Sequence, residues 1–299
     1  FLDSAWYYLG YLLQAKSEKR KAKNSGKSPW ERALIKKWLP VNMYIGGAEH
    51  AVLHLLYSLF LAMVFKDLKL THFEEPFTRF RTHGLITKDG AKMSKSRGNV
   101  VNPDEYIRAY GADAIRMYLA FMAPLGEGGD FRETGIKGIT RFLERVWKRS
   151  WGVILRIKAE GSRRGKILRP QAGAQNDVRR ALHKTIKKVT EDIESLQYNT
   201  AISALMVLLN EFEGKPDEVS PDDVKILLKL LAPFAPSMSE ELWQQIQDTR
   251  YKIQDTKFRS IHREPWPKYD ERFLKEDTFE LVIQINGKVR DKVEAPVGI

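Results

Sequence analysis

The chain has 299 residues, 43% hydrophobic and 29% charged, enough for about two domains with ordinary cores and too apolar for wholesale disorder. Cysteine is absent, which excludes disulfides and thiolate metal sites, and the six histidines form neither an HExxH spacing nor a His-rich tract, so no resident metal is expected. Fifty Lys/Arg against 38 Asp/Glu leave a net charge of +12, which makes a polyanionic partner a candidate.

Residues 1–13 are aromatic and apolar, and 16–28 (KSEKRKAKNSGKS) read as a basic surface loop. Val41–Ile45 reads as a short buried strand punctuated by Gly46-Gly47. A helix from Glu49 to Val64 follows, with Val52, Leu53, Leu56 and Leu59/Phe60 as its apolar positions. Strand, glycine turn and helix form an α/β signature. The apolar run at 51–65 is broken by His54 and Ser58, too short and too polar to span a bilayer. With no charged-then-apolar leader either, a cytoplasmic location is expected. Gly84–Ile86 is a second apolar run and leads into a loop carrying Asp89-Gly90 and Arg97-Gly98. Asn102 and Pro103 predict a helix over 104–110 that stops at Gly111. Asp113 starts another over 114–122, ended by Pro124.

From Ile136 the period is helical and long, with Ile139, Phe142, Leu143, Val146, Trp147 and Ile154 on one stripe. Further helices are predicted over 177–196, 201–212, 221–231 and 237–247, a helical bundle. The charge concentrates here. Lys137–Thr190 holds sixteen basic residues against Glu144, Glu160 and Asp177, a net +13. Such a block is either a phosphate-binding surface or a solvated helix face with a basic loop. Beyond Pro265-Trp266-Pro267 the period changes. Residues 279–285 alternate, Asn286-Gly287 suits a type I′ turn, and Lys288–Val293 completes a hairpin. Two strands do not stand alone, so this reads as the start of a small, truncated carboxy-terminal domain. The chain opens at Phe1 and not Met, which marks a fragment or processed piece.

The segment with the most chemistry is Lys92-Met93-Ser94-Lys95-Ser96. Two lysines three apart, interleaved with serine and followed by Gly98, form a cationic loop able to grip a polyphosphate. Fixed ammonium groups stabilise the charge that builds on a departing pyrophosphate. The string matches the KMSKS signature of class I aminoacyl-tRNA synthetases letter for letter. Tyr44-Ile-Gly-Gly-Ala-Glu-His-Ala-Val-Leu-His, the opening Phe1-Leu-Asp-Ser-Ala-Trp-Tyr-Tyr and the terminal Gln284-Ile-Asn-Gly-Lys-Val-Arg resemble the bacterial-type leucyl branch.

That resemblance implies α/β plus all-α architecture: the second half of a Rossmann-type class I catalytic domain (1–135), an anticodon-binding-type helical domain (136–268) and the start of a β-containing domain (279–299). His50 and His54, spaced i, i+4, project from one helix face, and by resemblance they line a leucine pocket together with Phe1, Ser4 and Tyr7. The alternative is a core histidine beside a surface one, and an aromatic core cluster in which Trp6 and Tyr8 belong. Gly46 and Gly47 permit close backbone approach at a helix N-terminus. Glu49 would accept from ribose hydroxyls, or serve only as a first-turn acid. Leu85 and Ile86 would border adenine, or be an apolar edge strand. Met93, Ser94 and Ser96 share the ATP site with the catalytic Lys92 and Lys95. Asn99 or Asn102 would cap the next helix, Asp113 would cap its own, and Arg116 would meet RNA backbone or solvent. Trp147 and Trp151 would be core or stack on bases.

The implied reaction joins ATP, L-leucine and tRNA(Leu), with Mg²⁺ carried by the nucleotide, to give AMP, diphosphate and leucyl-tRNA(Leu). The second class I signature, His-x-Gly-His, occurs nowhere in the chain, nor does the editing domain of the family. The amino-terminal half of the enzyme, in the same chain or a separate subunit, is therefore an expected partner, and the isolated chain is expected to be inactive. A non-catalytic tRNA-binding paralogue and an isoleucyl or valyl synthetase remain the alternatives.

Overall fold

The computed structural model describes residues 2–14, 30, 32–162, 175–248, 258–274, 278–285 and 288–296. Its elements in chain order are α1 (Leu2–Gln14), α2 (Arg32–Trp38), β1 (Tyr44–Gly47), α3 (His54–Asp67), β2 (Phe80–His83), β3 (Leu85–Lys88), β4 (Ala91–Lys92), α4 (Pro103–Tyr110), α5 (Ala112–Phe121), β5 (Gly128–Asp130), α6 (Glu133–Ser162), α7 (Gln175–Glu194), α8 (Tyr198–Gly214), α9 (Pro221–Leu231), α10 (Pro236–Asp248), β6 (Thr278–Ile285) and β7 (Lys288–Pro296). They fall into two compact units, 1–87 with 125–129, and 88–124 with 130–299.

In the first unit β1 pairs with β2 in parallel, Tyr44 opposite Phe80 and Gly47 opposite His83. A parallel pair needs a crossover, and α3 supplies it. Tyr8, Leu9, Trp30, Ile35, Leu39, Ala62 and Phe73 form the core, with Trp6 packed against it, as expected of Trp6 and Tyr8. Three sequence expectations need correction. Gly46 and Gly47 lie inside β1 and do not follow it. The helix expected over 49–64 is broken, because Ala48–Ala51 forms a 3-10 turn and α3 starts only at His54, after Leu53 at φ −96, ψ −80. Its buried face is also different. Ser58 and Ala62 are fully buried, while Val52, Leu53, Leu56 and Phe60 are exposed. Small side chains at i and i+4 let α3 approach α1 closely, which bulky leucines would prevent; size, not hydropathy, selects the face. By composition alone Ala48–Asp67 is apolar enough to cross a membrane. The break leaves an α3 of 14 residues, ~21 Å against a ~30 Å hydrocarbon layer.

Gly84 donates its N–H to the Leu125 carbonyl at 2.8 Å, and any Cβ at Gly84 would enter the backbone of Glu127 and Gly128. Gly128 faces it under the same constraint, with φ at 75° and no room for a Cβ against the Leu85 backbone.

The second unit is built on α5 to α10. Alpha8 is buried along Ala201, Ile202, Leu205, Leu208, Leu209 and Phe212, and α6 contributes Ile139, Phe142, Leu143, Val146 and Ile154. At α9 a capping box closes the N-terminus. Ser220 accepts from the Asp223 N–H, Asp223 accepts from the Ser220 N–H, and Pro221 occupies the first turn. Alpha4 starts as expected, with the Asn102 side chain accepting from the Asp104 N–H at 3.1 Å. Asp113 departs from expectation. It sits in the first turn of α5 yet accepts from the Ser237 and Met238 N–H groups at 3.3 and 2.7 Å, so it caps α10 and not its own helix. Arg116, exposed on the same edge, is engaged by the protein itself, donating twice to the Pro233 carbonyl at 3.1 and 3.0 Å. Residues 258–274 run over the bundle, where the Asp270 N–H donates to His183 Nδ1 at 3.1 Å and Phe273 stacks on the same imidazole at 4.7 Å. Beta6 and β7 form the expected antiparallel hairpin, Ile285 opposite Lys288; its Asn286-Gly287 turn lies outside the described residues.

Two stability consequences follow. Asp113→Ala leaves two helix-end donors without an acceptor and should cost about 1–2 kcal/mol in urea denaturation. His183 must stay neutral to accept from Asp270, and burial lowers its pKa, with Arg179 adding to that against Asp270 and Asp223. A folded-state pKa below the unfolded value means the unfolded chain protonates first. Stability should therefore fall as pH drops below about 6.5 and on through the lowered folded value. His183→Gln should flatten that part of a melting-temperature profile.

Candidate active site

In the first unit four aromatic rings meet. Tyr44, on β1, has its ring centroid 5.5 Å from His54, 4.4 Å from Phe77 and 5.9 Å from Phe80. Tyr7, on α1, reaches the same imidazole at 6.0 Å, and its hydroxyl shares a hydrogen bond with Tyr44. Burial, then Tyr44, push the Tyr7 hydroxyl up to about 12. His50 meets His54 edge to face at 6.2 Å and 88°. The two imidazoles are thus neighbours although no continuous helix joins them; the 3-10 turn and the first residue of α3 bring them together. Burial and then the neighbouring His50 lower the His54 pKa. Its Nε2 is buried without a hydrogen-bond partner among the described residues. The result is a neutral, largely apolar wall with one unused polar atom.

Gly47 is buried at the end of β1, and a Cβ there would run into the Glu49 carboxylate. Glu49 therefore folds back over the strand end. Gly46 has room for only a tight Cβ, 3.3 Å from the Tyr44 ring. The α-helix N-terminus expected beside these glycines is absent, since Ala48–Ala51 is a 3-10 turn. Ser4 lies exposed on α1, one turn before Tyr7, and Phe1 lies outside the described residues. Leu85 and Ile86 are exposed on β3, at 47% and 37%. Sequence reasoning gave Tyr44 no role, although it touches more of this cluster than any expected residue. Its place in a strand beside two glycines was the available signal.

In the second unit the lysine loop is held by its backbone and free at its charges. Asp89 and Gly90 both have positive φ, 54° and 72°, as a type I′ turn requires. Lys92 ends β4, Met93 packs against the bundle core, and Lys95–Arg97 makes a 3-10 turn closed by Gly98 in the left-handed region. Asn99 binds the loop from inside: its Oδ1 accepts from the Ser94 N–H at 2.8 Å, and its Nδ2 donates to the Lys92 carbonyl at 3.3 Å. Asn99 is thus a loop staple, and the capping role falls to Asn102 alone. The Ser94 and Ser96 hydroxyls pair at 2.7 Å. Lys92, Lys95 and Ser96 are exposed. Fixed backbone with solvent-facing ammonium groups suits an anion with several oxygens.

Part of the basic block is used internally. Arg145 holds Glu213 and Asn210, Arg149 donates to the Pro216 carbonyl, and Lys188 pairs with Asp192. Trp147 is 39% exposed and so is not the core residue its stripe suggested. It stacks on Trp151 at 5.9 Å and 9°.

Residues 21–131 match the family of class I tRNA synthetases (I, L, M and V), and 175–298 match the anticodon-binding domain of tRNA ligase. The chain is 43% identical to the leucine–tRNA ligase of Thermotoga petrophila over 100% of its own length, and 42% identical to that of Thermosipho melanesiensis. It spans only 35% of either relative. Along its whole length the chain is a homologue of leucine–tRNA ligases. A solved structure, the Agrobacterium radiobacter K84 agnB2 LeuRS–tRNA–LeuAMS ternary complex, matches this leucyl-type chain with a TM-score of 0.77 at 33% identity, over 99% of this chain and 37% of that one. Catalytic fragment and anticodon-binding domain are therefore both present.

One consequence is measurable. His54 should titrate below the ordinary histidine range, and His50→Ala should move it back up by removing the like charge. Imidazole proton shifts followed by NMR through pH 4–8 test this. A His54 that titrates normally in both proteins would contradict the neutral wall.

Proposed function

We propose that this chain supplies the lysine-loop half and the tRNA-binding helices of a leucine–tRNA ligase. ATP, L-leucine and tRNA(Leu) give AMP, diphosphate and leucyl-tRNA(Leu). The observation that carries the reading is the 92–96 loop, with its backbone stapled by Asn99 and both ammonium groups exposed, in a chain related along its whole length to leucine–tRNA ligases. None of the relatives named above favours the isoleucyl or valyl reading, or a non-catalytic paralogue.

In this reading the leucine carboxylate attacks the α-phosphate in line, and Lys92 and Lys95 stabilise the charge that grows on the leaving pyrophosphate. Met93, Ser94 and Ser96 shape the loop around the triphosphate. Gly46 and Gly47 let the nucleotide approach the end of β1, Glu49 accepts from ribose hydroxyls, and Leu85 and Ile86 border adenine. The leucine side chain lies against His50 and His54, with Phe1, Ser4 and Tyr7 completing the pocket. A neutral His54 suits an aliphatic group, since a charged imidazolium would have to be desolvated. Tyr44 holds Tyr7 and His54 in place. Mg²⁺ enters as part of the nucleotide substrate, where it keeps most of its waters.

Functionally the chain divides at 135/136, with the second Rossmann half before it, the tRNA-binding helices over 136–268, and the first hairpin of a small domain at 279–299. The exposed apolar surface formed by Val52 and Leu53 just before α3 and by Leu56, Phe60 and Met63 on it is large for a free surface and suits packing by the amino-terminal half of the enzyme. The site of action is the cytoplasm, with the tRNA.

Leucine-dependent pyrophosphate exchange tests the proposal. The chain holds no His-x-Gly-His string, so alone it should give no exchange. Combined with the polypeptide that carries that string, it should exchange with leucine and not with isoleucine or valine. Lys95→Ala should then lower the rate about 10²–10³-fold with tRNA(Leu) binding retained. Robust exchange by the chain alone, or a silent Lys95→Ala, rejects the assignment.

A further inference from the structure

The second unit carries an open cavity of about 370 Å³ beside α6, apart from the lysine loop and unused by the chemistry above. Its base is apolar, from Leu143, Ala114 and Met238, and one wall is Trp147. The Trp147 ring lies parallel to Trp151, which follows it on α6. The α6 residues lining the cavity, Thr140, Leu143 and Glu144, all precede it. Trp147 thus lines the cavity with an indole that is 39% exposed and runs parallel to Trp151.

The polar groups at the rim are unequal. The Thr140 hydroxyl donates to the Ile136 carbonyl, and the Asp113 carboxylate is taken up by the α10 N–H groups. Glu144 is exposed and has no hydrogen-bond or ion-pair partner among the described residues. Arg141 and Lys148 flank it at i−3 and i+4, one turn to either side. Both are exposed and carry no partner among the described residues, unlike Arg145 and Arg149 on the same helix. An open aromatic face, one free carboxylate and a cation on either side match a flat heterocycle with hydrogen-bond donors on its edge and a phosphate on each flank.

We propose that this cavity is a slot for one unpaired nucleobase of the bound tRNA, guanine by preference. The base stacks on Trp147, its N1–H and N2–H₂ groups donate to Glu144, and Arg141 and Lys148 hold the adjoining phosphates. The proposal rests on the reading above that these helices bind tRNA.

The test uses the 299-residue chain and fluorescein-labelled pentanucleotides UUGUU and UUUUU in anisotropy titrations, with tRNA(Leu) filter binding in parallel. UUGUU should bind about tenfold more tightly than UUUUU. Trp147→Ala should abolish that preference and Trp147→Phe should keep most of it. Glu144→Gln should reduce the preference, while Arg141→Ala and Lys148→Ala should weaken both oligonucleotides alike and lower the salt slope by about 1 each. Trp147 is partly exposed, so its replacement should leave the fold intact, which circular dichroism checks. Equal binding of the two oligonucleotides, or a preference that survives Trp147→Ala, overturns the slot. If tRNA(Leu) still binds in that case, the proposed function stands; if tRNA(Leu) does not bind at all, both readings fall.

Discussion

Alpha5 holds the second unit together through two side chains on its outer edge. Asp113 accepts from the first N–H groups of α10, and Arg116 donates to the carbonyl of Pro233, in the short break before that helix. A break between packed helices leaves donors on one side and carbonyls on the other, each costly if left unpaired. An acid at the positive end and a base at the carbonyl also follow the helix dipole. The opposite edge of α5 buries Ala114, Ile115, Met117 and Tyr118, each larger side chain worth roughly 1.5–3 kcal/mol of apolar burial. The Tyr118 hydroxyl accepts from the Arg132 N–H at 2.7 Å, and its ring lies where a Cβ on Gly135 would go. One ten-residue helix thus fixes the start of α6 and the start of α10.

The lysine loop inherits that rigidity. Met93 is inserted toward the same core, and Asn99 ties the loop from Ser94 back to Lys92. The ammonium groups gain nothing from these contacts and stay in solvent. That division matters for electrostatic catalysis, which depends on charges whose positions need not be reorganised at the moment of reaction. The first unit solves the opposite problem. There the aim is to keep charge away, and a His54 crowded by His50 and half enclosed by rings stays neutral through burial.

Elements with local signals were legible from sequence: the Asn102-Pro103 start of α4, Pro221 at α9, and the strand alternation of β6 and β7. The 92–96 string is legible as a letter-for-letter match to the KMSKS signature. What escaped depends on partners distant in sequence. Asp113 looked like the cap of its own helix, because nothing local says that residues 237 and 238 will arrive beside it. The buried face of α3 was misassigned because hydropathy favours Val52, Leu53, Leu56 and Phe60, while close helix approach favours Ser58 and Ala62. The break between the 3-10 turn at Ala48–Ala51 and the start of α3 at His54 has no local mark in the sequence, since neither Gly nor Pro stands between them. Tyr44 was overlooked for want of a sequence pattern that marks a ring by its neighbours.

The net charge of Lys137–Thr190 is a poor guide to where a polyanion would sit, because several of its cations are satisfied within the protein. Arg145 and Arg149 face the end of α8 and the loop after it, and Lys188 faces its own helix. On α6 itself, Lys137, Arg141 and Lys148 remain along one exposed face, next to the parallel pair Trp147 and Trp151. Cations alone would hold phosphates without discriminating among sequences. A carboxylate among them weakens that attraction, so its position beside an open indole is an electrostatic cost with no structural return among the described contacts. A base edge with two donors supplies the return, since both of its N–H groups can donate to the carboxylate.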